Sequence, residues 1–360
     1  MKYTRLSSSL PIMVFAFVLV ATLLLPMPAR SDAEVPTAFS QIQQRDPKAI
    51  CWQSAHPVGV FAICIHGAAL DAQSFRALAD ELSARGIDGV AIDWCADSPN
   101  GSSFPFHPDV IGQTVQQIRT DFPKHRIWLV GESLGAVAAL KYAAEHKSEI
   151  DGLVCSNVAT HLAKQGLVVS EAAVETAMPF RKGLPSTVHW LARRALTSPP
   201  QRALRKRLEC CSHQLGIRSA SSILRYMASA HEDDKAVPAI PILIIQGLKD
   251  RLVSKMSVAK LARHLPQDKL KFVLDADAGH LLLQENFASP KAIECVATWL
   301  KSEGASNPSH FEVISMHPLS EREVRLIEKL RRCAGMHEAS KSAFNESPPA
   351  AHAKLFAHLR

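Results

Sequence analysis

The chain has 360 residues, of which 47% are hydrophobic and 21% charged, a composition that suits one large globular domain with an insertion or a tail. Lys and Arg outnumber Asp and Glu by 41 to 34, so the formal net charge is +7. The basic residues form no stripe with interleaved aromatic residues of the kind that binds nucleic acid. A nucleic-acid partner is therefore not expected.

The N-terminus has the pattern of an export leader. Lys2 and Arg5 precede an uncharged apolar run that ends before Arg30, and Ser31–Ala33 supplies small residues for cleavage. The run is also about long enough to cross a bilayer, so residues 1–33 are either a cleaved signal peptide or an uncleaved membrane anchor. Both interpretations predict an exported protein, periplasmic or secreted.

All eight cysteines lie beyond this leader. An exported chain with an even number of cysteines can form disulfides, but the sequence leaves the pairing open among ~105 arrangements. Cys64 and Cys155 lie in apolar runs, which predicts that they are small buried hydrophobic residues. No CxxC pair is present and the His and Cys spacings fit no zinc template, so no metal is expected.

Beyond Ala49, apolar runs typical of strands alternate with runs of helical periodicity. The predicted strands are, in order, AICWQSA, VGVFAICIHG, DGVAIDW, HRIWLVG, IDGLVCSN, IPILIIQG and LKFVLDA. The predicted helices among them are SFRALADELSARG, PDVIGQTVQQIRTDF and LGAVAALKYAAEH. Continuous apolar strands that alternate with amphipathic helices predict an α/β fold, with a mostly parallel central sheet and helices on both faces.

Residues 158–237 interrupt this alternation with mostly helical sequence. The interruption is too long for an ordinary connection and predicts a helical cap inserted over one end of the sheet. Within it, Arg181–Arg207 holds eight basic residues and no acidic one, with Leu184 and Trp190 among them. This pattern predicts contact with an anionic membrane surface, and a solvated face with snorkelling arginines is the alternative.

The main domain is predicted to span residues 34–304, with the cap as its insertion. Residues 305–360 form a C-terminal extension in which Ser320 and Glu323 make a capping box. This box predicts one more helix. From about Glu338 the extension is rich in Ser, Ala and Pro, which predicts disorder.

One serine lies between two glycines where the strand HRIWLV gives way to the helix LGAVAALKYAAEH. Gly131, Glu132, Ser133, Leu134 and Gly135 fit the pattern G-x-S-x-G, a tight strand-to-helix turn that exposes the serine hydroxyl. The glycines are needed because the turn strains the backbone and brings strand and helix together. An incidental serine in a glycine-rich turn is disfavoured by this context. The motif predicts Ser133 as a nucleophile at the positive end of a helix.

A serine hydroxyl is a poor nucleophile unless a base takes its proton, so the motif requires a histidine. The chain has sixteen. His280 follows the last predicted strand after a short loop, as the base should in the chain order Ser, Asp, His. His56 and His125 precede strands and so lie away from the expected carboxyl ends. His280 is therefore the predicted base.

A carboxylate should orient the imidazole and stabilise its positive charge. Asp250 comes just past the strand IPILII and is the predicted acid. Asp275 and Asp277 are nearer to His280 in sequence, but they are interpreted as ordinary loop carboxylates at the end of the last strand. Glu132 is expected to point away from any histidine.

Acyl transfer also needs donors for the developing oxyanion. His66 and Gly67 follow the strand in FAICIHGAALDAQSF, and this turn would direct the N–H of Ala68 towards the nucleophile. The N–H of Leu134, next to Ser133, is the second predicted donor. A simple strand-to-loop turn is the alternative.

With these residues assembled, the chain resembles an α/β-hydrolase and is most similar to the monoacylglycerol lipase and serine aminopeptidase group. The resemblance runs from about Ala49 to Gly304 and is carried by HGAALDAQSF, GESLG, GLKDRLV and DAGHLLL. It implies Ser133 as nucleophile, with the acid, base and oxyanion donors at the positions already named. It also implies that the helical insertion is a lid over an acyl pocket and that no cofactor is needed.

The chain departs from that group in two places near the expected pocket. The group's D-x-x-G-H-G-x-S turn is reduced here to Asp93, followed by WCADSPNGSS. The residue before the nucleophile is Glu132, where many lipases of the group have His. Both departures leave the substrate class open.

The resemblance implies a carboxylic-ester hydrolase acting through an acyl-enzyme on Ser133. A lipophilic acyl ester, such as a monoacylglycerol, a lysophospholipid or a fatty acyl ester, is the preferred substrate. An aminopeptidase-type amide hydrolase, with residues 232–234 as an acidic anchor for the substrate amine, and a non-catalytic binding protein are the alternatives. An epoxide hydrolase or dehalogenase is disfavoured because those enzymes have aspartate where this chain has serine.

Overall fold

The computed structural model describes residues 37–68, 70–94, 107–160, 225–227, 236–284, 288–302 and 310–336, together with Ile223 and Ser229. The described helices and strands all belong to one unit that begins at Ala38. The predicted leader, most of the predicted cap and the tail beyond Met336 lie outside the described residues. No helix among the described residues is both long enough and apolar enough to cross a bilayer.

One sheet of eight strands runs through the described part of the chain. Its strands are β1 (Ile50–Trp52), β2 (Val60–Ile65), β3 (Asp88–Ile92), β4 (Arg126–Glu132), β5 (Gly152–Ser156), β6 (Ile242–Gly247), β7 (Leu270–Asp275) and β8 (His310–Ile314). The spatial order is β1-β3-β2-β4-β5-β6-β7-β8. Strand β1 is antiparallel to β3, and all other neighbours are parallel. The predicted mostly parallel sheet is confirmed.

Helices cover both faces of this sheet. They are α1 (Ala38–Arg45), α2 (Arg76–Ala84), α3 (Asp109–Asp121), α4 (Leu134–Glu145), α5 (Lys255–His264), α6 (Pro290–Lys301) and α7 (Glu321–Cys333). Residues of α1, α3, α4, α5 and α7 pack in one hydrophobic cluster, and those of α2 and α6 pack in a second. Strand β2 alternates between the two, because successive side chains of a strand point to opposite faces. The apolar runs of the sequence are therefore strands buried on both sides.

The predictions for two of the cysteines are confirmed. Cys64 in β2 and Cys155 in β5 are completely buried free thiols, and burial raises the pKa of both. Cys51, Cys295 and Cys333 are half-buried and also free. The five cysteines of the described residues thus form no disulfide with one another.

The central sheet includes a strand from the predicted C-terminal extension. Strand β8 lies beyond residue 304 and pairs in parallel with β7, with Phe311 opposite Phe272. Helix α7 confirms the predicted capping box, since Ser320 and Glu323 bond to each other's backbone, and Leu330 is buried in the core. Two of the five residues of HFEVI are polar, so the sequence did not show the pattern of a buried strand, and residues 311–314 are only half-buried. Residues 310–314 of the extension are thus part of the sheet.

Candidate active site

The four segments singled out by the sequence follow strands β2, β4, β6 and β7 at their carboxyl ends. The register places Ile65, the last residue of β2, opposite Gly131 of β4, and Gly247 of β6 opposite Asp275 of β7. Since these strands are parallel, the loops that leave them emerge at one edge of the sheet. The site lies at that edge.

Ser133 occupies a strained turn between β4 and α4. Its φ of 57° and ψ of −116° lie outside the regions that a residue with a side chain ordinarily adopts. The neighbouring glycines allow this turn because they have no side chain, so that other backbone segments can approach them closely. A Cβ on Gly135 would lie 2.0 Å from the carbonyl oxygen of Ile65, and one on Gly131 would lie 2.5 Å from Cα of Ala136. The G-x-S-x-G pattern therefore forms the tight strand-to-helix turn that the sequence predicts.

The structure brings Ser133, His280 and Asp250 together in one hydrogen-bonded row. Nε2 of His280 lies 3.0 Å from Oγ of Ser133, and Nδ1 lies 2.9 Å from Oδ2 of Asp250. The carboxylate can only accept, so Nδ1 carries the proton and Nε2 accepts from the serine hydroxyl. All three side chains are buried. This is the geometry in which a histidine can take a proton from the serine hydroxyl.

Two backbone amides fix the orientation of Asp250. Leu252 and Val253 donate to Oδ1 at 2.7 Å and 3.0 Å, which leaves Oδ2 for the histidine. Burial on its own raises the pKa of Asp250. Attraction to His280 and the hydrogen bonds from that histidine and the two amides outweigh burial and hold the pKa below its ordinary value. Asp250 is therefore ionised near neutral pH.

The interactions between Asp250 and His280 also shift the pKa of His280, in the opposite direction. Burial on its own lowers the pKa of the imidazole, because it disfavours the charged form. The charge of Asp250, the hydrogen bond to it and the charge of Glu132 outweigh burial and raise the pKa above its ordinary value. The charged form of this imidazole is thus favoured by two carboxylates.

Asn157 ties the loop of the acid to the loop of the base. Its backbone is left-handed, with φ of 43°, a conformation that Asn tolerates better than most residues. Its amide donates to the carbonyls of His280 and Gly279, and its Oδ1 accepts from the N–H of Gly247 at 2.9 Å. None of the sequence motifs identified Asn157. Its only sequence signal is a polar residue directly after a buried strand.

Glu132 corrects an expectation of the sequence analysis. It does not point away from the histidine, since its carboxylate accepts the backbone N–H groups of Leu282 and Leu283, two and three residues past His280. The hydroxyl of Ser156 donates to the same oxygen at 2.7 Å. The side chain is fully buried. The prediction was wrong because the pattern of the turn alone does not reveal a contact across 150 residues.

The predicted oxyanion donors flank the nucleophile. Leu134 is the first residue of α4, directly after Ser133, and Ala68 follows Gly67 in the turn after β2. A Cβ on Gly67 would lie 3.2 Å from Cβ of Ser133, so this turn passes next to the nucleophile. Ala68 is exposed and Leu134 is buried. Their role as donors stays a prediction.

Polar contacts hold the turn after β2 in place. The ring of His66 is completely buried, with Nδ1 at 2.8 Å from the carbonyl of Gly67 and Nε2 at 3.2 Å from Asp93. The indole of Trp94 donates to the carbonyl of His66 at 2.9 Å. Asp93, the residue that the chain retains from the group's longer motif, therefore supports the predicted oxyanion turn.

The rejected alternatives lie elsewhere in the fold. His125 precedes β4 at the opposite edge of the sheet, near Asp88. Asp277 accepts from Lys249 and from the backbone of Met316, and so has no contact with the imidazole. The described residues contain no group of three or more His, Cys, Asp or Glu side chains arranged to hold a metal ion.

The fold, with its site at the carboxyl ends of the parallel strands, is that of an α/β-hydrolase. Residues 55–286 match the family described as serine aminopeptidase, S33, and the chain therefore belongs to that hydrolase family. The match includes the loops that bear Ser133, Asp250 and His280 but ends before β8. No curated protein sequence matches the chain.

Solved structures with this fold include lipases. The monoacylglycerol lipase of Paleococcus ferrophilus is 18% identical, with a TM-score of 0.55, over 71% of this chain and 99% of that one. A soluble variant of the monoglyceride lipase of Saccharomyces cerevisiae, in complex with a substrate analogue, is 17% identical, with a TM-score of 0.54. The match covers 72% of this chain and 92% of that one. At these identities the similarity establishes the fold. The resemblance seen in the sequence is thereby confirmed at that level.

Proposed function

We propose that the protein is a serine hydrolase that cleaves carboxylic esters through an acyl-enzyme on Ser133. The observation that supports this is the unbroken row of contacts from Oγ of Ser133 through His280 to Asp250, at 3.0 Å and 2.9 Å. The strained turn favours the same role, since it orients the hydroxyl at the N-terminus of α4. A protein that only binds ligands has no need of this arrangement.

The proposed reaction has two halves. Oγ of Ser133 bonds to the acyl carbon while its proton moves to Nε2 of His280, and the N–H groups of Ala68 and Leu134 stabilise the oxyanion. Nε2 then gives the proton to the departing alcohol as the ester C–O bond breaks. Water attacks the acyl carbon and passes a proton through Nε2 back to Oγ as the carboxylic acid leaves. Asp250 stays ionised throughout and stabilises the imidazolium.

A lipophilic acyl ester is the proposed substrate, such as a monoacylglycerol, a lysophospholipid or a fatty acyl ester. Two of the structures with this fold are described as monoacylglycerol and monoglyceride lipases. A basic cap sequence would also suit an enzyme that receives its substrate from an anionic membrane. The cap lies outside the described residues, so its contact with a membrane and the export of the chain are proposals based on sequence.

Amide hydrolysis at an N-terminal residue is the second candidate, because the family description names a serine aminopeptidase. The chemistry at Ser133 would be the same. The two candidates differ in what binds the substrate amine, and the acidic residues 232–234 that could do so lie outside the described part of the chain.

Hydrolysis of a p-nitrophenyl ester series, from acetate to palmitate, tests the proposal. We expect the full chain to turn over at least one ester and the Ser133→Ala variant to fall to background, by ~10⁴-fold or more. Ser302→Ala is the matched control, because this hydroxyl bonds to the carbonyl of Trp299 at the end of α6, away from the candidate site. The preferred chain length separates a small-ester esterase from a lipid hydrolase.

Two results would contradict the proposal. A Ser133→Ala variant with parental activity would exclude this serine as the nucleophile. A folded parent that hydrolyses no ester but releases p-nitroaniline from amino-acyl p-nitroanilides would favour the aminopeptidase. For the membrane proposal, co-sedimentation with liposomes should require anionic lipid, and binding that is equal on zwitterionic vesicles would overturn it.

A further inference from the structure

One carboxylate connects the turn of the nucleophile to the loop of the histidine. Glu132 is the last residue of β4, directly before Ser133, and its side chain is completely buried. Its Oε1 accepts from the backbone N–H of Leu282 at 2.7 Å and of Leu283 at 3.1 Å. The hydroxyl of Ser156 donates to Oε1 at 2.7 Å. All three contacts reach Glu132 from segments other than its own.

This connection spans the two residues that must meet for proton transfer. Ser133 and His280 are 147 residues apart and lie on loops after different strands. Proton transfer needs their atoms within hydrogen-bond reach, and a displacement of about 1 Å can cost 10²-fold in rate. A fixed anchor between the two loops therefore has a direct consequence for the rate.

We infer that Glu132 is a positioning residue, whose carboxylate holds the loop of His280 against Ser133 through the amides of Leu282 and Leu283. This inference rests on the proposed function, because it assigns Glu132 to the reaction at Ser133. It also accounts for Glu132 at a position where many lipases of the group have His. The two buried amides need an oxygen atom as their acceptor. Glu132 itself has no contact with the reacting atoms.

The charge of Glu132 gives a second, separable effect. The charged groups that face the imidazole among the described residues are Asp250, on Nδ1, and Glu132, and Lys255 donates to the carbonyl of Asp250. Glu132 contributes to the raised pKa of His280. Burial raises the pKa of Glu132 itself, against the opposing effect of its three hydrogen bonds and of His280. Removal of the Glu132 charge should therefore lower the pKa of the base.

Three substitutions separate the anchor from the charge. Glu132→Ala removes both, while Glu132→Gln keeps an oxygen acceptor for the two amides and removes the charge. Ser156→Ala deletes only the hydroxyl that bonds to Glu132. Asp88→Asn is the matched control, since Asp88 is also a buried carboxylate that accepts a backbone N–H, from Ser54, but stands at the start of β3.

The measurements are kcat and KM on the best ester, the pH dependence of kcat/KM, and hydrogen exchange at the amides of Leu282 and Leu283. We expect Glu132→Ala to lower kcat by about 10²-fold with KM little changed, and to speed exchange at both amides. Glu132→Gln should restore most of kcat and move the acid limb of kcat/KM to lower pH, because the base is less readily protonated. Ser156→Ala and the Asp88→Asn control should match the parent in exchange at both amides.

The inference is overturned if Glu132→Ala keeps the parental kcat and exchange, or if the Gln and Ala variants lose activity equally. If the Ala variant does not fold, unprotected exchange at the amides of Leu282 and Leu283 in the parent overturns the anchor, and an unmoved acid limb in the Gln variant overturns the role of the Glu132 charge. A parent that hydrolyses no ester would contradict the proposed function. In that case, exchange at Leu282 and Leu283 still decides whether Glu132 holds the loop.

Discussion

Two histidine–aspartate contacts lie at opposite edges of the same sheet. His280 and Asp250 follow β7 and β6 at the carboxyl edge, with Nδ1 at 2.9 Å from the carboxylate. His125 precedes β4 and Asp88 begins β3, at the amino edge, and Nε2 of His125 lies 3.5 Å from Oδ2 of Asp88. Both aspartates are almost fully buried. Residue type therefore does not distinguish the two pairs.

The two pairs differ in the group that faces Nε2 of the histidine. Nε2 of His280 faces the hydroxyl of Ser133, held in its strained turn at the start of a helix. His125 instead faces Asp88 with Nε2, and its ring lies edge-on to Phe122. In a parallel sheet the reactive loops gather at the carboxyl ends of the strands. Nε2 of His125 makes no hydrogen bond to Asp88 among the described residues, whereas His280 bonds to both Asp250 and Ser133.

The largest expected difference between the two pairs is in the histidines. We expect His280→Gln to lower kcat by ~10⁴-fold or more, because His280 is the base that contacts Oγ of Ser133 among the described residues. His125→Gln should leave kcat unchanged. Steady-state kinetics on the best p-nitrophenyl ester, with circular dichroism as the folding control, makes this comparison. A large loss of kcat in a folded His125 variant would remove the distinction between the edges.

Substitution of the two aspartates should give a slightly smaller difference in kcat than substitution of the two histidines. Asp250→Asn is expected to lower kcat by ~10⁴-fold at most, since an amide donates to Nδ1 and leaves the proton on Nε2, where it cannot accept from serine. Asp88→Asn should keep kcat and lower the free energy of unfolding by about 1 kcal/mol, measured by urea denaturation. Equal kcat for the two variants would show that Asp250 does not orient the base.

The smallest expected effect is a displacement of the pH profile. The pKa of His280 is raised above its ordinary value of about 6.5, and the base must be neutral to act. The acid limb of kcat/KM should therefore have its midpoint above about 6.5, with activity lost as the pH falls through the raised pKa. His125→Gln should leave that midpoint in place, whereas Asp250→Asn should lower it. A parental midpoint below the ordinary value would contradict the electrostatics of the site.

Local patterns in the sequence were sufficient to predict most of the sheet and the three central side chains. Continuous apolar runs predicted strands β1 to β7, because most residues of these strands are hydrophobic and buried. Chain order and strand ends predicted Ser133, Asp250 and His280, since the carboxyl ends of parallel strands share an edge. These inferences need only the neighbours of each residue in the chain.

The remaining features depend on contacts between distant segments. Glu132 and Asn157 reach across 150 and 123 residues, to the loop of His280. No local pattern predicts such contacts, because the partners are backbone groups of arbitrary sequence. Strand β8 was missed for a related reason. Its residues are too polar to give the pattern of a buried strand. They form a strand because they pair with the backbone of β7, which is distant in the sequence.

Strand β8 also covers one side of its neighbour in the sheet. A chain that stopped at residue 304 would retain every residue of the family match but leave the backbone N–H and C=O groups of β7 uncovered along one side. An open strand of this kind is a template for pairing with another molecule. Helix α7 lies against α5 beside this strand and buries Ile327 and Leu330. Strand β8 thus covers the side of β7 that the family match leaves open, and we expect removal of the chain beyond residue 304 to be seen first as a lower soluble yield.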